Sequence, residues 1–264
     1  MSVEFARFAH WWRSLTRHGE QDPFAAEDWE QAWRSLPQLQ GLDDDQCARL
    51  RRLALGFLDD KTFEPVQGLV LTDPMRLRIA LLAALPVLEL GLDWYGGWYS
   101  VILYPDAFVP EHQMMGDDGV VWVDRTVKAG ESWDLGPVIL SWEDIRQDGE
   151  LDGHNVVIHE LAHKLDGRSG STNGCPPLHK GMSGADWKRA FAEAYADLCR
   201  RADSGEDTPI DPYGTESPAE FFAVVSEAFF EIPGLLLKEY PRVYAQLERF
   251  YGQVPLRRLG GLSR

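Results

Sequence analysis

VVIHELAHKLDG, residues 156–167, is the stretch on which this chain turns. After Asp152-Gly153 the residues run on without a breaker to Gly167, so a helix is expected here. Within it stands the pattern H-E-x-x-H, as His159-Glu160-Leu161-Ala162-His163. Two imidazoles four residues apart on a helix lie one turn apart on the same face, where both can bind a single Zn²⁺ at about 2.0–2.1 Å. Glu160, beside the first of them, is placed to accept a proton from a water activated by such an ion without itself being a ligand. With 7 histidines in 264 residues, chance placement yields the pattern about 0.01 times. Val156, Val157, Ile158, Leu161 and Ala162 surround these polar residues with apolar ones, and a buried helix with polar groups needs a reason for them.

A catalytic zinc site takes a third protein ligand and keeps one position open, whereas a structural site is closed by four. The longer pattern H-E-x-x-H-x-x-G-x-x-H is excluded, because its Gly and last His positions hold Asp166 and Ser169. Asp166, seven residues after His159 on the same face, is read as an acceptor for a histidine N–H in preference to a ligand. Downstream, Glu220 and Glu227 lie seven apart on one face of an apolar helix, and either completes the set. Ser217-x-x-Glu220 is also a capping box, in which the glutamate reaches back to the N-cap N–H. Spacing leaves the two glutamates nearly even.

Working outward, helices are expected over Leu42–Asp60, over the all-apolar run Ile79–Leu90 with Pro86 as a kink or boundary, and along the stripe from Trp187 to Leu198. Ser217-Pro218 is a good N-cap and first-turn pair for a helix to about Ile232, and a last helix is expected over Leu235–Tyr251. Between Tyr95 and Trp142 the texture is β-branched and aromatic. WYSVILY (98–104), GVVWV (119–123) and PVILSW (137–142) are expected as strands of one sheet. Residues 167–184 form a long Gly/Ser/Pro-rich loop. A small mixed sheet followed by helices makes the class α+β, with a mainly helical C-terminal part.

At 264 residues the chain makes one domain, or two tightly packed ones. Hydrophobic residues are 44% and charged residues 26%, the balance of an ordinary folded chain. The formal net charge of −16 repels a phosphate backbone, which argues against direct nucleic-acid binding. Met1–Leu15 carries charges and two Trp where a signal peptide needs an apolar core. The longest apolar run, Ile79–Leu92, is broken by Pro86 and Glu89 and falls short of the ~20 residues of a spanning helix, so no membrane segment is expected. Cys47, Cys175 and Cys199 are widely spaced and form no C-x-x-C; all three are expected to be free, in a cytoplasmic protein.

IHELAHKLDGRSG (158–170) together with YGTESPAEFFAVVSEAFF (213–230) resembles the Mlc titration factor A family, bacterial zinc-dependent peptidases of the gluzincin type. The likeness extends to LLAALPVLELGLDW (81–94), YPDAFV (104–109) and ESWDLGPVILSW (131–142), and so covers most of the chain. It implies a single zincin-like domain over 1–264 with an N-terminal helical extension at about 1–65. It implies one Zn²⁺ per chain with His159, His163 and Glu220 as ligands and Glu160 as the base. Tyr213 is then a hydrogen-bond donor to the transition state, and Glu227 a carboxylate behind the ligands. Trp122 stands where some members carry a further His that reaches the metal; His112 is the nearby candidate to replace it, but is read in preference as a plain surface histidine.

The expected activity is therefore peptide hydrolysis, aminopeptidase-like, with a peptide as substrate and PVILSW as a strand with which its backbone could pair. The family name adds a transcriptional repressor of the Mlc type as a partner. The alternative is a non-catalytic, zinc-containing regulatory protein that sequesters a transcription factor. Glu160 favours catalysis, since a purely structural zinc site has no use for it.

Overall fold

The computed structural model describes residues 22–106, 136–147, 150–208 and 210–259. The expected strand at 119–123, His112 and Trp122 lie outside these residues.

Helices α1 (Ala26–Arg34) and α2 (Asp44–Asp60) come first. The start of α2 is a complete capping box: the Asp43 side chain accepts the Gln46 N–H at 2.8 Å, and the Gln46 side chain accepts the Asp43 N–H at 3.1 Å. Both helices pack on α3 (Asp73–Ala84), in which every residue from Leu77 to Ala84 is buried. The helix ends at Ala84, not Leu90, because Pro86 lacks the N–H to continue the ladder; Leu85, its C-cap, still has helical backbone. Pro86 is thus a boundary.

The sheet contains β1 (Thr62–Pro65), β2 (Ser100–Tyr104) and β3 (Val138–Ser141) in the order β1-β2-β3. Thr62 pairs with Ser100, and Leu103 with Leu140. Among the described residues all pairings are parallel, where the sequence suggested a mixed sheet. Parallel neighbours require a crossover, and α3 lies in the connection from β1 to β2. β1 was not expected: TFEP is four residues long, mostly exposed and closed by a proline, the features of an edge strand. Trp142 does not end β3 but opens the short helix α4 (Trp142–Gln147).

The C-terminal part consists of α5 (Val156–Asp166), α6 (Gly184–Asp203), α7 (Pro218–Glu231), α8 (Pro233–Glu239), α9 (Pro241–Tyr251) and α10 (Pro255–Leu259). The single helix expected over 235–251 is two, divided at Tyr240, because Pro241 cannot donate and is well placed at a helix's first position. α7 is the core helix: between Ala219 and Glu231 only Glu220 escapes full burial. Around it, Trp187 stacks on Phe191 with ring centroids 4.2 Å apart, and Phe229 stacks on Tyr251 at 5.5 Å. Trp98 is buried, while Trp94 and Trp142 pack against the core. Among the described residues no helix is long and apolar enough to cross a membrane.

Candidate metal centre

α5 begins at Asn155, whose side chain accepts the Ile158 N–H at 3.1 Å and caps the helix. His159 and His163 then lie one turn apart, with their rings 4.9 Å apart and nearly perpendicular. α7 packs along α5 and brings Glu220 against both. Glu220 Oε2 is 3.0 Å from His159 Nε2 and 3.3 Å from His163 Nε2, and the two nitrogens are 3.2 Å apart. A tetrahedral ion with bonds of about 2.0–2.1 Å holds its ligand atoms roughly 3.3 Å apart. The triangle therefore has the dimensions of three ligands around one zinc, and two imidazoles with a carboxylate are the donor types zinc takes.

The second nitrogen of His159 has its own partner: Nδ1 lies 2.7 Å from Glu227 Oε1, so that with Nδ1 protonated the Nε2 lone pair is left for the ion. The two glutamates that spacing left even thus take opposite ends of one imidazole. The capping-box reading of Glu220 holds in half. Its N–H donates to Ser217 Oγ at 3.1 Å, while its carboxylate turns to the histidines.

Electrostatics follow from this crowding. Burial pushes the His159 imidazole pKa down, but Glu220, Glu227 and Glu160 outweigh it and hold it up at about 10. Burial raises the Glu220 carboxyl, yet hydrogen bonds from His159 and His163 hold it well below the usual carboxylate range. Negative charge is in excess here, which suits a cation.

Glu160 is half-buried beside His159. Tyr213 is half exposed, with its ring centroid 6.0 Å from that of His159. It sits on the 3₁₀ turn Pro212–Thr215, which Asp211 caps by accepting the Tyr213 N–H at 2.9 Å. Asp211 also lies 3.2 Å from His154 Nδ1, tying this turn to the entrance of α5.

Asp166 departs from its expected role. Its buried carboxylate accepts the N–H groups of Gly174 at 2.6 Å and Cys175 at 2.8 Å, so it braces the 167–184 loop instead of orienting a histidine. Gly174 has φ +78°, and a Cβ there would come within 2.4 Å of the Pro218 carbonyl oxygen, so the loop fits beneath the start of α7 only as glycine. All three cysteines are free. Burial and the Asp166 carboxylate push the Cys175 thiol up, which argues against a reactive thiolate. His179 is half-buried against Trp94, with Nε2 2.8 Å from the Phe250 carbonyl oxygen.

Sequence reasoning passed over Asn155 and Glu231, which hydrogen-bond to each other at the start of α5, where the Asn155 N–H also meets Glu227. An Asn directly before an apolar helical run is a recognisable N-cap signal. Glu231, a charged residue one turn after Glu227 on a buried helix, is a weaker one.

A family model described as glucose-regulated metallo-peptidase M90 matches residues 9–252. Curated relatives from Yersinia pestis (strain Pestoides F) and Yersinia pseudotuberculosis serotype O:1b (strain IP 31758) are each 42% identical over 234 residues, covering 88% of this chain and 86% of theirs. Both carry the name Mlc titration factor A.

Proposed function

The chain belongs to the glucose-regulated metallo-peptidase family M90, and we propose that it is a cytoplasmic zinc peptidase of the gluzincin type, aminopeptidase-like in its action on peptides. In this reading residues 1–264 are one zincin-like domain, with about 1–65 as its helical extension. The observation that carries the proposal is the triangle of His159 Nε2, His163 Nε2 and Glu220 Oε2, with edges of 3.0 to 3.3 Å.

His159, His163 and Glu220 would hold one zinc ion. When bound, the ion supplies a Lewis acid that lowers the pKa of a water and polarises the scissile carbonyl. Glu160, the H-E-x-x-H carboxylate that binds no ion, takes the proton of the attacking water and passes it to the leaving amine. Tyr213 donates its hydroxyl to the oxygen on which negative charge develops. β3, at the end of the described strand order and in contact with α5, is a candidate to pair with an extended peptide.

Tyr213→Phe is expected to lower kcat by about 10²–10³-fold, the loss typical of one oxyanion donor, with KM little changed. Steady-state kinetics on a peptide substrate measures this, and an unchanged kcat removes Tyr213 from the reaction.

The whole proposal is tested by metal analysis of the purified protein together with hydrolysis of a panel of small aminopeptidase-type substrates. One zinc per chain is expected, with hydrolysis lost on chelation and restored by zinc. Absence of zinc would sink the ligand assignment. Zinc without hydrolysis would favour a second reading, supported by the relatives' name, in which the chain is a non-catalytic regulatory protein that binds a transcriptional repressor of the Mlc type. Normal repressor binding by a catalytically dead variant would show that the two roles separate.

A further inference from the structure

Glu227 and Glu231 lie one turn apart on α7, and both are buried, at 5% and 2% exposure. Two buried carboxylates are costly unless donors surround them. Glu227 Oε1 faces His159 Nδ1 at 2.7 Å, and its Oε2 accepts the Asn155 backbone N–H at 2.5 Å. Glu231 Oε1 accepts Gln38 Nε2 at 2.7 Å and Asn155 Nδ2 at 2.9 Å, while Oε2 accepts the Gly153 N–H at 3.1 Å. Asn155, itself fully buried, therefore spends every polar group it directs at these helices: its N–H on Glu227, Nδ2 on Glu231, and Oδ1 on the Ile158 N–H of α5.

We propose that Asn155 and Glu231 are positioning residues of the metal centre, acting through Glu227 to fix the ring of His159. This rests on the reading of His159 as a metal ligand. The geometry supplies the reason. One carboxylate, Glu227, takes the Asn155 N–H on one oxygen and the His159 ring on the other, so a shift of Asn155 turns the carboxylate and with it the imidazole. Glu231 holds the Asn155 side chain in place, and Gln38 extends the chain of bonds to the 3₁₀ turn Pro37–Leu39, in the N-terminal part of the molecule. Partners one step removed from a metal typically govern about 10–100-fold in affinity.

The test measures zinc dissociation constants by competition with a chromophoric chelator, the visible spectrum of the Co²⁺-loaded protein, and melting temperature. It compares wild type, Asn155→Ala, Glu231→Gln and, as a control, Ser183→Ala, which removes the cap of α6 away from the centre. Asn155→Ala and Glu231→Gln are expected to weaken zinc binding by about 10–100-fold and to change the Co²⁺ spectrum. Ser183→Ala is expected to lower the melting temperature alone. Should Asn155→Ala fail to fold, Glu231→Gln carries the test, since it is nearly isosteric but presents a donor to a site that offers three donors. Wild-type affinity and spectrum in both variants, with melting temperatures lowered as in the control, would reduce them to a purely structural role. A wild type that binds no zinc would overturn the ligand reading itself, and with it this proposal.

Discussion

Glu160→Gln is expected to lower kcat/KM by about 10²–10⁴-fold, or roughly 3–5 kcal/mol of transition-state stabilisation, while zinc stays bound. The side chain keeps its size and its place on α5, half-buried next to His159. What it loses is the capacity to take up a proton. The three candidate ligand atoms belong to other residues, so the triangle of 3.0 to 3.3 Å edges should persist. Glu160 is also the last of the carboxylate influences on the His159 ring, after Glu220 and Glu227, so removing its charge perturbs that ring least. The measurement is kcat and KM on the best substrate of the panel, with metal content determined on the same preparation. A variant that retains the full rate would show that some other group handles the proton, and loss of zinc would show that Glu160 serves the ion.

Glu220→Gln is expected to weaken zinc binding by at least about 100-fold, beyond the upper end of what residues one step behind the ligands command. The reason lies in the two roles that one residue offers. The Glu220 N–H is bound by Ser217 Oγ whatever the side chain. Gln would serve a capping box as well as Glu does, so α7 should form normally in the variant. Its neutral amide, however, replaces the charge that meets both imidazole nitrogens. Chelator competition with circular dichroism on the same samples separates the roles. Unchanged affinity would return Glu220 to capping and leave Glu227 as the remaining glutamate near His159.

Several parts of the fold were open to the sequence because their signals are local. The capped amphipathic helix α2, the Ser217 cap of α7 and the stripe of α6 all depend on residues within a few turns of one another. β1 was not legible, because four mostly exposed residues ending in proline carry no alternation, and their pairing partner lies nearly forty residues away. The break between α8 and α9 was written in Pro241, but the apolar spacing continues across it and masked the signal.

The centre divides in the same way. By itself the sequence determined that His159 and His163 share one helical face with Glu160 beside them, since a four-residue spacing on a helix admits little else. Only the tertiary structure decided what Glu220, Glu227 and Asp166 do. The two glutamates share a face of α7, and the packing of that helix on α5 sends one to Nε2 of His159 and the other to Nδ1. Asp166, on the histidines' own helix, is drawn off by the amides of Gly174 and Cys175. Helical periodicity places a side chain on a face, but which of its neighbours it meets depends on how separate helices and loops pack, and the contacts of these three residues span up to 72 residues of chain.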